Sequence, residues 1–106
     1  MDKYNKLIYK SLERDAIGNE TLNVTSSVAK LNPPVEARYA LIYVESDVVS
    51  GYAIRYWEDG SDPTNSEGIP RHPDTAFDLD GFENLMRFRA TEAQVGTHTL
   101  QVQYYN

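Results

Sequence analysis

"RYALIYVESDVVSGYAIRYWEDGSDPTNSEG", residues 38–68, holds two strongly apolar runs, a short glycine-ended connection and an acidic loop punctuated by Gly and Pro. In the first run Tyr39, Leu41 and Tyr43 alternate with Ala40, Ile42 and Val44, so both faces of an extended chain are apolar. A strand of that kind is expected to be central and covered on both sides. In the second run Tyr52, Ile54 and Tyr56 alternate with Ala53, Arg55 and Trp57. The connection "SDVVSG" predicts that the two runs form a hairpin.

Working outward, "THTLQVQYY" (97–105) alternates cleanly, with His98, Leu100, Val102 and Tyr104 on one side and Thr99, Gln101, Gln103 and Tyr105 on the other. That is a half-buried strand. "TLNVT" (21–25), "TAFDLD" (75–80) and "LMRFRA" (85–90) read as further short strands, and "GFEN" as a tight turn or single helical turn. The pattern is all-β: a single antiparallel sandwich or barrel of jelly-roll type over 21–106, preceded by an N-terminal arm or edge segment, 1–20. In 3–17, Tyr4, Leu7, Ile8 and Leu12 fit a helical face better than a strand.

Composition narrows the function. The chain has 106 residues, 41% of them hydrophobic, eight Tyr, three Phe and a net charge of −6. That describes one globular domain. A net negative charge with acids scattered along the chain argues against nucleic acid as a partner, since a general phosphate-backbone binder needs clustered Lys and Arg. No apolar run reaches the ~18–20 residues of a membrane span, and the N-terminus has no signal-peptide core. With no cysteine, thiolate metal sites, disulfides and cysteine nucleophiles are excluded.

Chemistry-bearing patterns are sparse. His72, between prolines in "IPRHPD", and His98, on the apolar face of the last strand, are the only histidines, and neither has sequence partners for nucleophilic catalysis. In "EDGSDPTNSEG", Asp59, Asp62, Asn65 and Glu67 are oxygen ligands that calcium accepts, but not at the spacing of a helix–loop–helix calcium site. A pair of turns, with positive φ at Gly60 and a start at Asp62-Pro63, explains them better. No catalytic residue, metal or cofactor is expected. The stretch 58–74 lacks strand periodicity, and a loop that long is expected to touch something. Arg55, on an apolar face, requires a partner, for which the carboxylates of Asp59 or Glu45 are candidates. Arg87 and Arg89 read as one solvated face opposite Met86 and Phe88.

The order of "ARYALIYVE…AIRYWEDGSDPTNSEGIP…FDLDGFENLMRFRA…HTLQVQYY" resembles small structural proteins of tailed bacteriophages. The resemblance covers residues 37–105 and is carried by Arg55, Tyr56, Asp59, Gly60, Pro63, Thr64 and Gly68. It departs from the pattern at Trp57 and Glu58, where a further charged residue is commoner, and the first twenty residues match nothing. It implies a virion component without chemistry, foremost a capsid decoration protein on the phage head. Such a protein is a homo-oligomer, with a trimer favoured, whose partners are the major capsid protein or neck proteins. A head–tail connector or tail adaptor, and a carbohydrate-binding module using Tyr52, Tyr56 and Trp57, are the alternatives. The residues expected at subunit or partner contacts are Tyr4, Leu7, Ile8 and Tyr9 of the basic, apolar arm, and Asp59, Asp62, Pro63 and Arg71 around the loop.

Overall fold

The computed structural model describes residues 14–106. Among the described residues, eight strands form two antiparallel four-stranded sheets packed face to face. Sheet A has the order β1 (Ala16–Val24), β8 (His98–Tyr105), β3 (Tyr39–Ser46), β6 (Ala76–Asp80). Sheet B has the order β2 (Ala29–Lys30), β7 (Arg89–Glu92), β4 (Ile54–Trp57), β5 (Ile69–Arg71). A short helix, α1 (Phe82–Arg87), links β6 to β7.

The core lies between the sheets. Ile42, Val44, Leu79, Leu100, Val102 and Tyr104 face inward from sheet A, and Ile54, Tyr56 and Ala90 from sheet B. The two layers meet through aromatic rings: Tyr56 stacks on Phe77 at 4.5 Å and 14°, and lies 5.4 Å from Phe88. Such pairs add to simple area burial.

Four expectations are corrected. The runs 38–45 and 52–58 do not form a hairpin, because β3 pairs with β6 and β8 while β4 pairs with β5 and β7. The 46–53 connection crosses between sheets, and β4–β5 is the hairpin. Second, β3 is central in its sheet, but the described residues cover it fully on one side only: Ala40, Ile42 and Val44 are buried, whereas Leu41 and Tyr43 remain 42% and 40% exposed. Third, "LMRFRA" divides into α1 and β7. Gly81 takes φ +100 and its carbonyl accepts the Leu85 N–H at 3.1 Å, starting one helical turn that buries Leu85. Arg87 then meets Glu83 at 3.5 Å along the helix, while Arg89 donates to the Met86 and Phe88 carbonyls. Fourth, the stretch 58–74 contains β5, three residues long with Pro70 in it, too short for periodicity to register.

β1, an edge strand of sheet A, begins at Ala16, inside the segment 1–20 expected as an arm or edge segment. Its alternation is hidden by a register shift between Ala16 and Gly18 and by Glu20 at an inward position. Glu20 is satisfied there by the Tyr104 hydroxyl and by the Asn32 N–H at 2.8 Å.

Candidate functional site

The loop 58–68 of the β4–β5 hairpin is held by its own polar groups. The Asp59 carboxylate accepts the Ser61 N–H at 3.0 Å, with Gly60 at φ +89, the turn expected from Asp-Gly. That amide, with the Ser61 hydroxyl, holds the exposed Asp59 carboxyl below its ordinary pKa. The Thr64 hydroxyl accepts the Ser66 and Glu67 N–H groups, and the Thr64 N–H donates to the Glu67 carbonyl at 2.9 Å.

Arg55 fastens this loop to the sheet. Its Nε donates to the Asn65 carbonyl at 3.1 Å and Nη1 to the Gly68 carbonyl at 2.9 Å, with the guanidinium 5.2 Å over the Tyr52 ring. The partner is thus loop backbone, where a carboxylate of Asp59 or Glu45 was expected. A planar fork with fixed donors suits two carbonyls held at this spacing. Gly68 completes the fit. At φ +132, a Cβ there would stand 3.0 Å from Arg55 Cβ and 3.1 Å from Pro63 Cβ.

The residues expected at contacts fall into four groups. Asp59 and Asp62 are exposed on the loop. Pro63 is buried beneath it against Gly68, bracing the loop from inside. Arg71 is half-buried and works as a clasp between the sheets: Nη2 donates to the Ala76 carbonyl of β6 at 2.6 Å, and the guanidinium lies 5.0 Å over Phe77. Tyr4, Leu7, Ile8 and Tyr9 lie outside the described residues.

Both histidines are engaged. The His72 ring donates from Nδ1 to the Gly51 carbonyl at 3.1 Å and lies 4.8 Å from the Tyr52 ring. His98 is 2% exposed; its Nε2–H donates to the Gln94 carbonyl at 2.8 Å, which in the neutral ring leaves Nδ1 to accept the Ser46 hydroxyl at 2.8 Å. A serine beside a histidine is the start of a nucleophilic pair. Here, however, the Ser46 oxygen also accepts the Val48 N–H at 3.1 Å, and the buried ring offers no approach for a substrate. Gly96 is packed against the same knot, where a Cβ would fall 2.8 Å from the Asp47 carboxylate. The group ties the β3–β4 crossover to the β7–β8 crossover.

Among the described residues, no group of three or more His, Asp or Glu is placed to hold a metal ion, and no helix is long and apolar enough to cross a membrane. Trp57 is half-buried and Tyr56 fully buried, so the set Tyr52, Tyr56 and Trp57 does not present one aromatic platform.

Sequence reading missed the surface that β3 leaves open. On the outer face of sheet A the register sets Tyr39 between Tyr105 and Asp80, Leu41 between Gln103 and Asp78, and Tyr43 between Gln101 and Ala76. Leu41, Tyr43, Gln101 and Gln103 line a shallow depression of about 270 Å³. Its signal was present in the alternation of 97–105: the polar row Thr99, Gln101, Gln103 shares a face with Tyr39, Leu41 and Tyr43 once β8 and β3 are paired. Comparison with protein-family models, curated proteins and solved structures finds no match to this chain.

Proposed function

We propose that this chain is a non-enzymatic structural component of a tailed-phage particle, foremost a capsid decoration protein that oligomerises and docks on the shell. The observation that carries the reading is the strand order. β1-β8-β3-β6 packed on β2-β7-β4-β5, with most connections crossing between the sheets, supports a jelly roll built of two Greek keys. Sandwiches of that kind serve in viral capsid and lectin domains. Fold by itself names no function. The loop 58–68 adds a second support, since a long loop pinned by Arg55 and presenting Asp59, Asp62, Asn65 and Glu67 is pre-organised for contact, which lowers the ordering cost of binding.

In this reading the loop meets the capsid or neck partner, and the β-domains assemble, with a trimer favoured. A neck or tail adaptor would use the same domain in fewer copies. The test adds purified protein to undecorated particles and images them. Saturable density at every equivalent shell position, lost in Asp62→Lys/Asn65→Lys with an unchanged melting temperature, is the expected result. Density confined to the neck moves the protein to the connector. Absence of binding to any particle, together with binding of an oligosaccharide, sinks the virion reading in favour of the carbohydrate-binding module.

A further inference from the structure

The outer face of sheet A is an apolar strip with carboxylates down one flank. Leu41 and Tyr43 stand exposed at its middle, the Tyr39 and Tyr105 rings meet edge-on at 5.7 Å at one end, and Asp78 and Asp80 of β6 with Glu45 of β3 edge it. Most of the face is therefore good contact surface: tyrosine, leucine and amide side chains, with acids at the margin.

The chain itself arrives at this face. Asp15 and the C-terminal Asn106 exchange hydrogen bonds at 3.1 Å, which fixes the start of the described chain at the Tyr39–Tyr105 end. The Arg14 side chain then lies over the Tyr39 ring at 5.0 Å and reaches the Asp80 carboxylate at 3.6 Å. The first residue in the described structure is already laid on the strip, with its cation toward the acidic flank.

We infer that residues 1–13 dock on the outer face of sheet A of their own chain, covering Leu41 and Tyr43 and placing lysines against the β6 carboxylates. The reach is sufficient. The face runs six residue steps from Tyr105 to Thr99, about 20 Å at strand rise. Thirteen residues span about 20 Å even at helical rise, and about 43 Å extended. The composition is complementary. Tyr4, Leu7, Ile8 and Leu12 recur at helical spacing, with Lys3, Lys6 and Lys10 beside them, matching an apolar strip flanked by acids. Tethering one residue from an anchored Arg14 raises the effective concentration for its own face far above that for a neighbour's. This goes beyond the virion reading and does not depend on it. It also differs from the sequence expectation that the arm reaches a neighbouring subunit.

The absence of native cysteine makes the test direct, because Gln101→Cys on this face is then the sole thiol in the full-length chain. A nitroxide attached there broadens the amide resonances of residues 1–13 when label and isotope are on the same chain. In a mixture of labelled unenriched chain with unlabelled ¹⁵N chain, those resonances stay sharp. Adding Leu41→Lys and Tyr43→Lys, both at exposed positions, restores the lost intensity while the dispersion of the core resonances persists. Broadening in the mixture overturns the inference in favour of exchange between subunits. Sharp resonances in the singly labelled chain, or broadening that survives the two lysines, overturn it outright.

Discussion

β3 and β4 look alike in sequence, each apolar on alternate and intervening positions, yet the two strands meet different surroundings. β3 lies between β8 and β6 and turns Leu41 and Tyr43 to solvent. β4 lies between β7 and β5, and its second face is occupied by Arg55, whose guanidinium is spent on the loop that the same strand feeds. Doubly apolar strands therefore carry two meanings. One is a surface awaiting a cover; the other is a strand whose outer side chain builds its own cover. Local alternation does not separate them, because the distinction lies in what the neighbouring strands bring.

The largest expected effect contrasts the two faces of β3. Ile42→Ala empties a site between the sheets and is expected to cost about 2–5 kcal/mol in denaturant unfolding. Leu41→Ala, one residue away, is expected to stay within about 1 kcal/mol, since its site lies outside the core between the sheets and is 42% exposed in the described structure. Equal losses at the two positions would mean that the outer face is packed as tightly as the core between the sheets, beyond what a docked surface segment supplies.

The outer face of β4 comes next. Arg55→Met keeps the side-chain stem but removes both donors to the loop, with an expected cost of about 1–3 kcal/mol. Hydrogen exchange at Ser66 and Glu67 should accelerate more than exchange in β3. Unchanged loop protection would show that the turns at Asp59 and Thr64 hold without the pin. At the loop's end, Gly68→Ala forces a side chain into φ +132 and against Pro63, and is expected to lower stability by at least about 1 kcal/mol.

The smallest effect sits where β4 runs out. Burial, then the nearby Asp78 carboxylate, raises the Glu58 pKa above the ordinary carboxylate value. The folded state thus holds this proton more tightly than the unfolded chain does. Stability from Glu58 is greatest below the ordinary carboxylate pKa and falls as pH rises through the raised folded value. Glu58→Gln is expected to stabilise the protein at neutral pH by less than about 0.5 kcal/mol, the gain being reduced by solvent screening and disappearing in acid. A variant that destabilises at pH 7 would mean that the Glu58 carboxylate has a favourable partner.

Several elements were readable because short-range physics decides them. The alternation of 97–105 and the inward Phe77 and Leu79 of 75–80 follow from the two-residue period of a strand with one buried face, and Gly60 after Asp59 from the positive φ of its turn. The all-β class followed from several such signals in a chain of this length. The pairing of strands did not. Two-residue β2 and three-residue β5 are defined by partners distant in sequence, and a bulge near Gly18 shifts the period of β1. The fate of Arg55 was also a tertiary matter: which acceptor meets a guanidinium depends on how a loop ten residues on is folded back. So was the site. Tyr39, Leu41 and Tyr43 become a surface beside Gln101 and Gln103 only when residues about sixty apart are laid in register, and sequence alone carries no term for what the opposite side of a strand will face.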